Sequence, residues 1–327
     1  MESRQNSGDA TAVALEDERL TLRQRPTPLA LTMSAMIYLA GGASAAMPTV
    51  TPLRTRFDAD RPVIGMVHLP PLPGTPACDG DRDAVRTRAL EDARRLEAGG
   101  IDGLVLENFG DAPFHPDDVP KHTVAEMTAV ATEVTDAVDV PVGINVLRND
   151  ADAALSVAAA VDADFVRVNV HVGTAATDQG VLEGRAHETL RLRDRIDADV
   201  AILADVHVKH ATPVGDRSID RAALEAVERG RADGVIVSGP GTGAETALEA
   251  VERVADALSE RCSDDSEPPV FVGSGVTTDT VADCFAAGAD GVIVGTALKE
   301  GAETTNPVSS ERVGDLVAAR DADSSAD

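Results

Sequence analysis

Gly100-Ile-Asp-Gly-Leu-Val-Leu106, Arg231-Ala-Asp-Gly-Val-Ile-Val237 and Gly288-Ala-Asp-Gly-Val-Ile-Val294 are nearly one segment written three times, and Val161-Asp-Ala-Asp-Phe-Val-Arg-Val168 is a looser copy. Each copy follows a stretch with helical, amphipathic spacing. Gly99, Gly230 and Gly288 suit the left-handed position past a helix end. The Asp-Gly pair makes a tight turn, and the β-branched run after it reads as a buried parallel strand. Between consecutive copies there is room for one further strand and helix. Filling those gaps predicts strands at 63–69, 103–109, 140–147, 165–170, 200–208, 234–238, 270–275 and 291–295. Helices are predicted at 82–98, 122–138, 151–160, 184–195, 218–229, 244–259, 278–287 and 309–320. In the first of these, Val85, Ala89, Ala93 and Leu96 share one face and Asp81 stands as its cap. Eight strand–helix units over roughly 260 residues are the count of a (β/α)8 TIM barrel. A doubly wound open sheet is the alternative, but no G-x-G-x-x-G follows the first strand.

The composition suits such a core. Hydrophobic residues make up 43% of the 327 positions and aromatics only 2%, so the interior is built from Val, Ala, Leu and Ile. The formal net charge is −27, and of 29 basic residues only Lys121, Lys209 and Lys299 are lysines. An acidic, lysine-poor surface fits a halophilic protein, because salt screens the self-repulsion. The same charge argues against nucleic acid or an anionic membrane as partner, since both need a basic footprint. Cys78, Cys262 and Cys284 form no C-x-x-C, which points to a reduced, cytoplasmic setting without a thiolate metal site.

Residues 1–60 read as an N-terminal extension, 61–320 as the barrel and 321–327 as an acidic tail. Pro26 to Leu53 carries no charge, has an apolar heart at 29–46, and contains Ala43-Ser44-Ala45, which resembles a cleavage site. A signal peptide, a membrane anchor and a false start with Met47 as the true first residue compete. The run is too rich in Ala, Gly, Ser and Thr for a good anchor, so a false start or a disordered extension is favoured.

Six of the seven histidines (all but His187) and all three lysines fall between a predicted strand and the helix after it. In a βα barrel those segments share the face where chemistry is built. The fifth strand ends Asp205-Val-His207-Val-Lys209-His210, and alternation aims Asp205, His207 and Lys209 into the barrel. The fourth ends Arg167-Val-Asn169-Val-His171 with the same phase. Buried charges at strand ends are either paired as a plug or used in acid–base work. On the second view Asp205 or His207 carries the proton, and Lys209 is an electrostatic clamp or a Schiff-base amine. Because lysine is scarce here, Lys209 and Lys299 invite a functional reading, against the bland one of solvated side chains. His68 closes the first strand ahead of a stiff proline-rich loop at 69–76, and Glu107 at the end of the second is the best further carboxylate. Gly273-Ser274-Gly275, Gly295-Thr296 and the Gly239, Gly241 and Gly243 turn occupy the slots where such barrels bind phosphate on backbone N–H groups. His68, Glu107, His171 and His207 could converge on a metal, but there is no H-E-x-x-H, and no metal or cofactor is predicted; a divalent ion stays open.

The run Arg61-Pro-Val-Ile-Gly-Met-Val-His-Leu-Pro-Pro-Leu-Pro-Gly-Thr-Pro76 resembles the opening signature of the BtpA/SgcQ family. Leu106-Glu-Asn108, Gly143-Ile-Asn-Val-Leu-Arg-Asn149, Phe165-Val-Arg-Val-Asn169, Ala204-Asp-Val-His-Val-Lys-His210, Gly239-Pro-Gly-Thr-Gly243 and Gly273-Ser-Gly275 look like its later blocks. The resemblance implies a phosphate-binding-type TIM barrel. It brings no settled reaction, since the family takes its name from a cyanobacterial factor for photosystem I while other members resemble sugar or nucleoside catabolic proteins. Two functions are therefore expected to compete. One is an enzyme (isomerase, lyase or hydrolase) acting on a small phosphorylated sugar or nucleoside-type metabolite. The other is a non-catalytic assembly factor for a membrane complex. Direct membrane association is not expected, and a homo-oligomer is compatible with either function.

Overall fold

The computed structural model describes residues 50–239, 241–261 and 267–324. The anchor-like run up to residue 49, Pro240, Cys262 with most of the polar loop around it, and residues 325–327 lie outside the described residues.

In chain order the elements are β1 (Val63–His68), α1 (Arg82–Ala98), β2 (Gly103–Glu107), α2 (Lys121–Thr135), β3 (Val142–Asn145), α3 (Ala151–Ala160) and β4 (Phe165–Val168). Then come β5 (Thr174–Thr177), β6 (Gly180–Glu183), α4 (Ala186–Arg195), β7 (Ala201–Val206), β8 (Ala211–Pro213) and α5 (Ile219–Glu228). The chain continues through β9 (Gly234–Val237), α6 (Leu248–Ser259), β10 (Val270–Gly273), α7 (Val281–Ala286), β11 (Gly291–Val294) and α8 (Ser310–Ser324). Eight of these strands close a parallel barrel in the order β1-β2-β3-β4-β7-β9-β10-β11 and back to β1. This is the TIM barrel expected from the internal echo. The small antiparallel sheet β6-β5-β8 is the addition, inserted after β4 and β7.

The echo has a structural cause. In each copy the aspartate bridges back to the strand before it: Asp102 accepts from Val63 N, Asp164 from Val142 N, Asp233 from Ile202 N and Asp290 from Val270 N, at 2.8, 2.9, 2.8 and 2.8 Å. The aspartates' own N–H groups donate to the carbonyls of the same four residues. The motif therefore pins neighbouring strands in register and satisfies strand-end donors that would otherwise need water. The left-handed residue differs from expectation in two copies. It is Gly100, not Gly99, and Arg231, not Gly230; Gly99 itself keeps right-handed helical angles as the cap of α1.

Two apolar layers result. One lies between strands and helices. The other fills the barrel itself with Ile64, Met66, Val105, Phe165, Leu203, Ile236, Phe271 and Ile293. Leu53 and Phe57 belong to this inner cluster, with the Phe57 ring 5.9 Å from Phe165 and 6.2 Å from Phe271. The boundary expected at residue 61 is corrected accordingly: a short 3-10 helix at Leu53–Arg56 plugs the floor of the barrel. At the other end α8 carries on to Ser324, past the expected start of the acidic tail at 321. Among the described residues no helix is long and apolar enough to cross a membrane.

Candidate functional site

Each inner strand face changes character toward its C-terminal end. After Met66 comes His68, after Val105 comes Glu107, after Phe165 comes Arg167, after Leu203 comes Asp205, and Gly273 and Gly295 complete β10 and the end of β11. Strand register sets His68 beside Glu107, and Glu107 beside Asn145. The rim is polar or side-chain-free because the period-2 phase that buries the aliphatic layer carries straight into it.

Arg167 and Asp205 form a buried bidentate pair, Nε to Oδ2 at 2.9 Å and Nη2 to Oδ1 at 3.0 Å. Asn169 Nδ2 donates to Asp205 Oδ2 at 2.8 Å and Ser238 Oγ to Oδ1 at 3.0 Å. Asn145 braces the group by donating to Asn169 Oδ1 at 3.1 Å. Burial opposes the Arg167 charge, and Asp205 more than offsets it, so the guanidinium is held charged. With four donors on its two oxygens, Asp205 in this geometry orients Arg167, and Asn169 orients Asp205.

Beside this pair opens a cavity of about 270 Å³. It is lined by Arg167, Lys209, Arg312 and His68, together with the turns at Gly243, Gly273–Gly275 and Gly295–Thr296. None of its described lining residues is an aspartate or glutamate. Gly275 has φ +74°, and a Cβ there would run into the Ala244 carbonyl, so only glycine lets the two turns meet. His68 is buried, with Nδ1 3.4 Å from the Thr304 carbonyl and Nε2 3.8 Å from Glu107 Oε1. Burial, then the Lys299 and Lys209 charges, push its pKa well below the ordinary histidine value, so the ring is neutral at pH 7. Each ring nitrogen faces an acceptor, Nδ1 the Thr304 carbonyl and Nε2 the Glu107 carboxylate.

Some expected residues are not brought to this cavity. His207 lies just past β7 at φ +52°, which ends the strand's alternation, and it does not line this cavity. It lines a separate space of about 50 Å³ with Asn169, Asp205 and Arg217, and its Nε2 has no hydrogen-bond partner among the described residues. His171 is corrected in the same way. Beyond β4 the chain leaves the barrel for β5, and the ring is buried with Nε2 2.7 Å from the Gly230 carbonyl. Gly239 and Gly241 do not line the cavity either: Gly239 is packed against the Ala244 and Glu245 carbonyls and Gly241 lies beside His210. Lys299 is fully buried behind the wall, donating to Met66 O at 3.0 Å and Asp92 Oδ2 at 3.3 Å, so it is a structural amine. Lys121 opens α2 on the surface.

Other residues arrive unannounced. Arg312 lies in the first turn of α8, where a cation opposes the helix dipole; that mismatch was the readable signal. Its Nε donates to Ala297 O at 2.6 Å, which fixes the guanidinium at the cavity edge. His210 Nε2 accepts from Thr242 N at 3.1 Å, tying the segment after β7 to the one after β9. Among the described residues no three His, Cys, Asp or Glu side chains converge as a metal-ligand set.

The family model described as "BtpA family" matches residues 59–322. The chain belongs to the BtpA family. An uncharacterized protein of Thermococcus kodakarensis is 48% identical over 257 residues, covering 79% of this chain and 94% of the relative. The photosystem I biogenesis protein BtpA of Synechocystis is 45% identical over 263 residues, covering 80% of this chain and 89% of the relative. Among solved structures, a thiamine phosphate pyrophosphorylase from Pyrococcus furiosus superposes with a TM-score of 0.50 at 17% identity, over 81% of this chain and 96% of that one. That last likeness is one of fold.

Proposed function

We propose that this BtpA-family barrel is an enzyme that acts on a small phosphorylated sugar or nucleoside-type metabolite at the C-terminal face of the barrel. One observation carries the reading. In a chain of net charge −27, with 56 acidic residues, the mouth cavity collects three cations and no carboxylate among its described lining residues. Arg167 is already paired with Asp205, so the positive charge an anion would meet is that of Lys209 and Arg312, neither of which forms an ion pair among the described residues. The phosphate would sit against the Gly273–Gly275 and Gly295–Thr296 turns with Arg312, because glycine turns leave backbone N–H groups accessible to an anion. The rest of the substrate then reaches toward His68, Lys209 and Arg167. His68, neutral and backed by Glu107, serves as the proton carrier and Lys209 as an electrostatic clamp or an amine, while Asp205 and Asn169 position Arg167. The protein is taken to work in the cytoplasm without nucleic-acid or direct membrane contact.

The name of the Synechocystis relative favours a second reading, an assembly factor for a membrane complex. Thermal unfolding of the full chain at high salt separates the two. Inorganic phosphate, sugar phosphates and nucleoside monophosphates should raise the midpoint where their dephosphorylated forms do not. A ligand at about 100 times its Kd adds roughly 2.7 kcal/mol. No shift with any phosphate ester, together with capture of a stoichiometric membrane partner, would decide for the assembly factor.

A further inference from the structure

Lys209 and Lys299 both sit near the top of the barrel, and they differ in one respect. Lys299 is paired with the Asp92 carboxylate and the Met66 carbonyl. Lys209 is half-buried, lines the cavity, and forms no ion pair among the described residues. Its charged neighbours are mixed: Arg167 and Arg148 disfavour an ammonium, Glu107 and Asp205 favour it, and Asp205 is already committed to Arg167. Arg167 stands beside it in the cavity lining, and Arg148 Nη2 donates to its own carbonyl at 2.5 Å. With no ion pair to a carboxylate among the described residues, burial favours the neutral amine over the ammonium. Burial first, and then the Arg167 charge, lower its pKa. A chain that has kept only three lysines has thus left one of them unpaired, aimed at an anion-receptive hollow.

We propose that Lys209 is a nucleophilic amine that condenses with a carbonyl group of the phosphorylated substrate to form a protonated imine. This rests on the phosphate-binding reading above and narrows the substrate to an aldehyde or ketone phosphate. The Lys209 nitrogen attacks the carbonyl carbon. As the N–C bond forms, the π pair of the C=O goes to oxygen, which takes a proton. The C–O bond of the carbinolamine then breaks and water leaves, giving an iminium. Overall one amine, one carbonyl and one proton become one iminium and one water. His68 lines the same cavity as Lys209, and Glu107, 3.8 Å from it on the adjoining strand, backs it in moving the proton.

The full chain should be incubated with dihydroxyacetone phosphate or ribose 5-phosphate and sodium borohydride, then read by intact mass and peptide mapping. Borohydride reduces the imine to a stable secondary amine. One adduct per chain is expected on the peptide carrying Lys209, formed about tenfold faster than at Lys121 or the chain's amino terminus. Glycerol 3-phosphate, which has no carbonyl, should suppress it. If glycerol 3-phosphate raises the unfolding midpoint but no adduct forms, the covalent step is overturned and phosphate binding stands. If there is neither shift nor adduct, both readings fall. Equal labelling of Lys121 and Lys209 also overturns the proposal.

Discussion

Asp205→Asn isolates the pair at the centre of the rim. The substitution keeps the shape but removes the charge that neutralises Arg167, and it turns one acceptor oxygen into an NH2 facing donors. Arg167 and Asp205 side chains are 2% and 0% exposed, so water cannot compensate. Removing one partner of a buried pair costs about 3–5 kcal/mol. With an unfolding entropy of about 2.1 cal/mol/K per residue over roughly 270 residues, this lowers the melting midpoint by about 5–9 °C. Circular dichroism melts of wild type and variant at two salt concentrations measure it. The deficit should be nearly the same at both, because a buried pair is weakly screened. A companion Arg167→Met/Asp205→Leu double variant should recover much of the loss, since it removes both charges together. Phosphate binding should weaken in both variants. A midpoint for Asp205→Asn within about 1 °C of wild type would refute the reasoning, as it would mean that Asp205 does not neutralise Arg167.

Lys299 has its pKa pushed down to about 8 by burial, against an ordinary 10.5. The folded state therefore holds fewer protons than the unfolded state between those values, and stability from this residue rises with pH across that window. The stability of wild type relative to Lys299→Met should grow by about 3 kcal/mol from pH 8 to 10.5 in urea titrations, and parallel curves would count against it. Gly275→Ala forces φ +74° on a residue with a Cβ and drives that atom into the Ala244 carbonyl. It should cost about 2 kcal/mol or more and abolish phosphate binding, and calorimetric titration showing wild-type affinity would argue against the turn as an anion site. Arg312→Ala should lower phosphate affinity about tenfold at moderate salt with little change in stability; an unchanged affinity would move the phosphate elsewhere. Because the chain carries a net charge of −27, its melting midpoint should climb as potassium chloride rises toward molar levels. A flat response would remove the halophilic reading.

The echoed Asp-Gly segments were legible because one function, pinning a strand to the one before it, repeats in one local pattern. The phase of alternation was equally legible, which is why His68, Glu107, Arg167 and Asp205 were found on the inner face. Alternation fails where the backbone leaves the strand. His207 follows the end of β7 at φ +52° and His171 follows the chain out toward β5, and neither departure has a hydropathy signature. The β5–β6–β8 sheet was unreadable for a similar reason: only Ala175 and Leu182 of its strands are buried, too few for a core stripe.

The sequence by itself determined the number of strand–helix units, their inward phase and the polar character of the rim, because these follow from local periodicity. Only closure of the barrel decided which groups meet. It set Lys299 against Asp92 across 207 positions and brought Arg312 to a cavity shared with His68, while Lys209 was left without a carboxylate partner among the described residues. Charge pairing between distant segments is a property of three-dimensional distance, and no run of neighbouring residues encodes it.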